Sequence, residues 1–172
     1  MSVDQTRRTL AVLDTSFWVA AYRAEVAANC LDLFRIIVPQ AVESEIRAVQ
    51  ASAPRREYPY ATLFRHLRAK MMDPPVGGPE ALPVYGAGEA EAIALARHLR
   101  AVILVNERRA AEYALNLGVD VVTVPALIVS LRALEVISDR AARKKLALIA
   151  PITAPGIIDE ALVALDTMGD WQ

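Results

Sequence analysis

The sequence is poor in the residues that build disulfide and zinc sites. Among 172 residues it has one cysteine, Cys30, and two histidines. A single cysteine cannot form an internal disulfide, and such cysteine usage fits a reducing compartment. The sequence contains no HExxH motif, no CxxC motif and no histidine pair, so it disfavours zinc. It also lacks the GxxxxGK[ST] and GxGxxG motifs, which disfavours nucleotide binding through a phosphate loop.

Long apolar runs and a strong net charge are also absent. No segment approaches the roughly 20 apolar residues that cross a bilayer. The opening residues, MSVDQTRRTL, contain no apolar core of a signal peptide. We therefore expect a soluble, cytoplasmic protein with no membrane partner. The net charge of −1 gives no overall attraction to nucleic acid, although a metal ion can supply positive charge locally.

Short apolar runs alternate with amphipathic helical patterns along the chain. LAVL, AVILV and DVVTVP are typical of buried strands, whereas QAVESEIRAV, GEAEAIALARHL and ERRAAEYALNLG have the spacing of helices. Helical spacing also runs through EVAANCLDLFRII, whereas the overlapping IIVP, which ends in Pro39, suits a strand that leads into a helix. With 55% hydrophobic residues, the chain can fill a sizeable core. The pattern predicts a single α/β domain with a mostly parallel sheet.

Carboxylates occur where several of these elements begin or end. Asp14 follows the first strand, Glu107 follows VILV, Glu45 lies in VPQAVESEI, and Glu89 and Glu91 lie in GEAE. In parallel sheets ligands bind beyond the carboxyl ends of the strands, so we expect these acids to share one crevice. Their mutual repulsion favours a bound cation, and hard oxygen ligands suit Mg²⁺ or Mn²⁺. Taken singly, each acid is more often a helix cap or a turn residue than a functional group.

Four segments, taken in order, resemble the PIN domain. They are VLDTS, VPQAVESEI, GAGEAEAIALA and VILVNERRAAEYALNLGVDVV, and ALIVSLRALEVIS resembles the helix that follows them in many small prokaryotic members. The resemblance covers Leu10 to about Ser138. It implies a three-layer α/β/α sandwich and a metal-dependent nuclease that cuts RNA. It also implies the toxin of a toxin–antitoxin pair as a role, with an antitoxin protein and a second copy of the chain as partners.

The resemblance assigns roles to individual acids. Asp14 matches the first acid and Glu45 the second. Both Glu89 and Glu91 flank the apolar stripe of their helix, so helical phase does not choose the third. Glu89 is favoured because it starts the helix and precedes Glu107 by 18 residues, a separation like that of the family.

The resemblance therefore implies a site with catalytic, metal-binding and supporting residues. Its catalytic acids are Asp14, Glu45, Glu89 and Glu107, of which Asp14, Glu89 and Glu107 would hold the metal. Ser16, Asn106 and Glu91 would support them.

The fourth acid departs from the family pattern. The family usually has a threonine, one residue and then an aspartate, or a pair of aspartates, whereas this chain has Val105, Asn106 and Glu107. Glu107 is one methylene longer than aspartate, and Asn106 is neutral. This leaves open a catalytically impaired PIN-fold module that binds RNA or a protein partner. A haloacid-dehalogenase-type phosphotransferase is disfavoured, because Ser16 stands where that family needs a second aspartate.

Two segments extend the minimal family pattern within one domain spanning residues 1–172. Residues 51–86 form a basic and proline-rich insertion, and residues 139–172 form a C-terminal helical extension. Tyrosines and Phe64 are interleaved with the basic residues of the insertion, which could hold a single RNA strand through phosphate contacts and base stacking. A solvated helix face with its aromatic residues in the core is the alternative. The candidate RNA-binding residues are Arg55, Arg56, Arg65, Arg68 and Lys70.

Overall fold

The computed structural model describes residues 8–52, 58–80, 82 and 86–169. Within them lies a parallel sheet of four strands in the order β2-β1-β3-β4. The strands are β1 (Thr9–Leu13), β2 (Phe34–Ile37), β3 (Val102–Leu104) and β4 (Val121–Val122). The predicted α/β architecture with a parallel sheet is confirmed.

Nine α-helices connect and cover the strands in the described part of the chain. They are α1 (Thr15–Arg23), α2 (Ala27–Leu33), α3 (Gln40–Ser52), α4 (Pro59–Leu67), α5 (Ala87–Leu99), α6 (Arg108–Asn116), α7 (Val124–Ala133), α8 (Asp139–Ile149) and α9 (Pro155–Gly169). None of these helices combines the length and apolar character that a membrane crossing requires.

The central strands are buried on both faces, and their residues alternate between two cores. Ala11 and Leu13 of β1 pack into a core with α1–α4 and α7–α9. Val12, which lies between them, packs into a second core with α5 and α6. Because neighbouring residues of a strand point to opposite faces, one helical layer covers each side of the sheet. The three-layer sandwich follows directly, and it explains why β1 is an unbroken apolar run.

The first clear difference from the sequence prediction lies at β2. Helical spacing in EVAANCLDLFRII predicts a helix through Ile37, but α2 ends at Leu33 and β2 begins at Phe34. Parallel pairing with β1 takes precedence here, with Thr9 opposite Phe34 and Val12 opposite Ile37. The helix prediction was therefore wrong from Phe34 onward, and the strand predicted in IIVP is present but begins earlier, at Phe34, because a short apolar segment fits either period.

The two extensions pack against this framework. In the insertion, α4 leads into a 3₁₀ turn at Arg68–Lys70, and Met72 then forms a parallel bridge to Ile37 beside β2. In the C-terminal extension, α8 and α9 both pack on α7, separated by a 3₁₀ turn at Ala150–Ile152. At the carboxyl edge of the sheet, α1 begins shortly after β1 and α6 begins shortly after β3.

Candidate active site

Asp14 ends β1 and begins α1, and its side chain is buried. One of its carboxylate oxygens accepts hydrogen bonds from the backbone N–H of Ser16, at 2.8 Å, and from the Ser16 hydroxyl. Burial raises the pKa of the Asp14 carboxyl above its usual value of 3.8, the Ser16 bonds oppose this rise, and the charge of Glu45 adds to it. Ser16 also links two strands, because its Oγ accepts from the N–H of Asn106 at 3.0 Å after β3. Ser16 therefore fixes Asp14 at the carboxyl edge of the sheet.

Glu45 reaches the same edge from α3 and is held by two donors. The Thr15 hydroxyl donates to its Oε2 at 2.6 Å, and the backbone N–H of Gly88 donates to its Oε1 at 2.9 Å. Glu45 thus bridges the start of α1 and the start of α5. Neither Thr15 nor Gly88 was among the predicted site residues, although both lie inside the quoted segments VLDTS and GAGEAE.

Glu89 lies in the first turn of α5, directly after Gly88. Its pKa is raised from 4.5 to about 7, first by burial and then by the charges of Asp14, Glu107 and Glu45. Because the effect depends on proximity, the four predicted catalytic acids form one electrostatically coupled group. We call Asp14, Glu45, Glu89 and Glu107 the acid cluster.

Glu107 contributes to the acid cluster from the start of α6. Its carboxylate also caps that helix, since Oε2 accepts from the N–H of Ala110 at 3.0 Å. The side chain is exposed, so it can turn without breaking core contacts. The local structure therefore agrees with both readings of Glu107, as a metal ligand and as a helix cap.

Asn106 is buried, and its carboxamide bonds to residues outside the acid cluster. It is only 4% exposed. Its Nδ2 donates to the hydroxyl of Thr153 at 3.0 Å, and its Oδ1 accepts from the N–H of Val124 at 3.3 Å. The carboxamide thus ties the end of β3 to the start of α7 and to the segment before α9. Thr153 was not predicted, because it lies far away in sequence and carries no motif.

Glu91 supports the site indirectly. Its Oε1 and Oε2 accept from the backbone N–H groups of Gln40 and Ala41 at 3.0 and 2.8 Å. A carboxylate at these otherwise unpaired amides stabilises the start of α3. Since α3 carries Glu45, Glu91 helps to position an acid of the cluster. Glu89, two residues earlier in the chain, is the acid of GEAE that belongs to the acid cluster.

The donor chemistry of the acid cluster fits a hard divalent cation. Its side chains are all carboxylates, and a cation would offset the mutual repulsion that, after burial, contributes to the raised pKa of Glu89. As positioned, no three carboxylate, imidazole or thiol groups among the described residues converge on one point as a metal site. The Glu107 carboxylate instead caps α6, so this side chain would have to turn towards a bound ion.

The predicted RNA-binding residues occupy different environments. Arg55 and Arg56 lie outside the described residues. Arg65 and Lys70 are exposed. Arg68 is only 17% exposed and forms ion pairs with Glu43, at 2.8 Å, and with Asp73. Arg68 therefore joins α3 to the loop after the 3₁₀ turn.

The aromatic residues of the same segment pack against other aromatic side chains of the protein. Phe64 is 1% exposed and meets Trp18 edge-to-face, with ring centroids 5.4 Å apart. Tyr60 packs against Tyr22 and Tyr58, with centroids 6.5 and 6.0 Å apart. Phe64 therefore lies in the core, which is the alternative to a base-stacking role. Base stacking on this ring would need the core to open.

Comparison with known proteins assigns the chain to a family. A family model described as a PIN domain matches residues 10–154. No curated protein matches the chain significantly. A PilT N-terminus domain protein, SSO1118, from the hyperthermophilic archaeon Sulfolobus solfataricus P2 is similar at 14% identity with a TM-score of 0.46, over 70% of this chain and 92% of that one. The family match covers most of the chain, including the entire acid cluster. The chain therefore belongs to the PIN-domain family, whose members are generally nucleases.

Proposed function

We propose that the protein is a divalent-metal-dependent endoribonuclease that hydrolyses RNA phosphodiester bonds. The observation that supports this best is the convergence of the acid cluster at the carboxyl edge of the sheet, where burial and then the charges of the other three acids raise the pKa of Glu89 to about 7. A fold that needs these carboxylates only for stability would gain nothing from placing them together, since like charges repel. A cation-binding function gives the arrangement a use.

In this proposal Asp14, Glu89 and Glu107 hold Mg²⁺ or Mn²⁺. When bound, such an ion would lower the pKa of a coordinated water and would offset negative charge on the leaving oxygen. Glu45 lies beside these residues with its orientation fixed by Thr15 and Gly88. It orients the attacking water and accepts its proton, and Glu89 is the alternative base.

The finer biological role is part of the same proposal. We propose that the protein acts in the cytoplasm as the toxin of a toxin–antitoxin pair, pairs with a second copy of itself and is restrained by an antitoxin protein. Arg65 and Lys70, with Arg55 and Arg56, would contact the RNA backbone. A gene for a small DNA-binding protein next to this one, and growth arrest on expression that Asp14→Asn relieves, would support the toxin role. A light-scattering mass of 18.7 kDa at micromolar concentration would contradict the dimer.

The experiment that tests the nuclease proposal compares two aspartate variants. End-labelled single-stranded RNA is incubated with the wild type, Asp14→Asn and Asp32→Asn, with Mn²⁺, Mg²⁺ or a chelator. Asp32 is an exposed aspartate on α2 and serves as the matched control. We expect metal-dependent cleavage by the wild type and Asp32→Asn, and a loss of roughly 100-fold or more in Asp14→Asn. Equal cleavage by all three proteins would contradict the proposal, and parallel reactions on DNA define the substrate.

A catalytically impaired module that binds RNA or a protein is the second candidate. Two observations favour it. The Glu107 carboxylate already caps α6, and the Asn106 carboxamide is occupied by Thr153 and Val124. Fewer side-chain ligands would then face a metal. RNA binding without cleavage at any metal concentration, together with no measurable Mn²⁺ binding, would favour this candidate over the nuclease.

A further inference from the structure

A groove of about 420 Å³ lies between α6, α7 and α9. Leu115, Ala126 and Ile157 contribute to its apolar walls, while Arg108 and Glu160 provide charged groups. Cavities of this size are typical of small-ligand sites in proteins. We call this cavity the α6–α9 groove.

The α6–α9 groove shares its framework with the acid cluster. Arg108 lines the groove and directly follows Glu107 of the cluster. The buried Asn106 carboxamide holds the groove's other two walls in place, because it binds Val124 at the start of α7 and Thr153 just before Ala154. If a phosphate of the RNA lies at Glu107, the adjacent nucleotide can therefore reach the groove past Arg108.

We propose that the α6–α9 groove is a nucleobase subsite that receives a base next to the scissile phosphate, and that it favours bases with an exocyclic amino group over uracil. The inference rests on the proposed nuclease function and names a substrate preference for it. It concerns residues outside the acid cluster.

The groove's chemistry suits a base better than a phosphate. Arg108 is paired with Glu112 at 2.7 Å, and the nearby Glu160 also raises the pKa of the guanidinium. Since Glu112 and Glu160 outnumber the single guanidinium of Arg108, the groove has a net negative charge, and this charge repels a phosphate. Its apolar walls suit the faces of a flat ring, and an arginine can stack on a splayed base. An unpaired base therefore fits both the shape and the charge.

The preference for an amino group follows from Glu160. This carboxylate is exposed at the groove and makes neither a hydrogen bond nor an ion pair with the described residues. Carboxylates accept hydrogen bonds from amino groups such as N4 of cytosine. Uracil carries carbonyl oxygens on both sides of its single pairing-edge N–H, and a carboxylate repels them. We expect cytosine to bind more tightly than uracil.

Binding of mononucleotides to the full chain tests the subsite without requiring catalysis. Ligand-observed NMR titrations in a chelator buffer compare cytidine and uridine 5′-monophosphates, which share the ribose and the phosphate. The difference between them therefore reports on the base alone. We expect cytidine monophosphate to bind at least about fivefold more tightly. Equal affinities, or no binding of either nucleotide, would overturn the inference.

Substitutions in α9 locate the binding site. Gly156 lines the α6–α9 groove, and a Cβ there would meet no atom within 4 Å, so we expect the side chain of Gly156→Leu to occupy part of the groove. We expect it to weaken cytidine monophosphate binding about tenfold with an unchanged circular dichroism spectrum. Val163→Leu is the matched control, since Val163 lies on the same helix and is 64% exposed. Equal binding by both variants would overturn the inference.

Glu160→Gln tests the source of the preference. An amide can donate as well as accept, so the variant can satisfy a uracil carbonyl. We expect the affinities for the two nucleotides to differ by less than about twofold. A preference for cytidine that survives Glu160→Gln unchanged would overturn the role given to this carboxylate.

The outcomes separate this inference from the nuclease proposal. RNA cleavage that depends on Asp14, combined with nucleotide binding that is indifferent to Gly156→Leu, refutes the subsite and leaves the nuclease intact. Nucleotide binding that depends on Gly156, with no cleavage under any metal condition, supports the subsite and refutes the nuclease.

Discussion

The backbone N–H of Gly88 and the carboxylate of Glu45 are 2.9 Å apart, and a Cβ at position 88 would lie 2.5 Å from Oε2 of that carboxylate. Only a glycine lets α3 and α5 bring these two groups together. The contact holds Glu45 beside Glu89, which follows Gly88 directly. The glycine therefore has a role in the geometry of the acid cluster rather than in backbone conformation.

Gly88→Ala should damage activity more than stability. The added methyl group displaces the Glu45 carboxylate, which lies at the end of a flexible side chain, so the fold can adapt. Alanine is also the better helix former. We expect RNA cleavage to fall at least about tenfold, since misplacing a catalytic group by about 1 Å can cost roughly 100-fold. The free energy of unfolding, measured in urea, should change by less than about 1 kcal/mol.

Gly86→Ala is the control for this substitution. Gly86 precedes α5 by one residue, and a Cβ there would meet nothing within 4 Å. This variant should cleave RNA like the wild type. If Gly88→Ala also retains full activity, the contact between Gly88 and Glu45 does not position a catalytic group.

Glu89 should make stability depend on pH in the absence of metal. Its pKa is about 7 in the folded protein and near 4.5 in the unfolded chain. Between these values the folded state retains a proton that the unfolded state has released. The stabilisation is therefore full below pH 4.5 and is lost as the pH rises through 7.

Glu89→Gln should remove this dependence. With a chelator present, the Tm of the variant relative to the wild type should be higher at pH 8 than at pH 5. Glu80→Gln, at an exposed site, serves as the control. A Tm difference between Glu89→Gln and the wild type that stays constant from pH 5 to pH 8 would show that the cluster charges do not act on Glu89.

Two substitutions of Glu107 separate its charge from its role as a helix cap. Glu107→Asp keeps the charge and introduces a preferred capping residue, so it should retain or raise both cleavage and stability. Glu107→Gln removes the charge, and we expect weaker Mn²⁺ binding in calorimetry. If Glu107→Gln loses only stability and binds Mn²⁺ like the wild type, Glu107 is a helix cap and the metal ligands lie elsewhere in the cluster.

Asp14→Asn should fold at least as stably as the wild type without metal. Burial and the nearby Glu45 raise the pKa of Asp14, which means that its charged form is unfavourable in the fold. Asparagine removes the charge and can still cap α1 through its side-chain oxygen. Chemical denaturation in a chelator buffer checks this. A loss of more than about 2 kcal/mol would identify Asp14 chiefly as a structural residue.

The sequence predicts the parts of this molecule that depend on local pattern. The buried run before Asp14 and the run before Glu107 were identified as strands, and their parallel pairing brings both acids to one edge. Glu89 could be preferred over Glu91 only through spacing and the resemblance. The contact that distinguishes them, between Glu91 and the N–H groups of Gln40 and Ala41, spans about 50 residues and follows from tertiary packing.

Other contacts could not be predicted from the sequence, because they also depend on tertiary packing. Nothing near Asn106 indicates that its carboxamide bonds Thr153, 47 residues away. The pairing of Arg68 with Glu43 likewise depends on how α4 packs against α3. At Phe34 the sequence fits both a helix and a strand. Pairing with β1 determines that it is a strand, and this pairing cannot be identified from a single sequence.

Calorimetric titration of the metal-free protein with Mn²⁺ tests the central claim most directly, because it asks whether the acid cluster is a cation site without depending on a chosen RNA. At pH 8 we predict saturable binding to the wild type, and a loss of at least about tenfold in affinity in Asp14→Asn, since one charged ligand disappears. Asp32→Asn should bind like the wild type. Equal Mn²⁺ affinities for the wild type and Asp14→Asn, or no binding to either, would contradict the account.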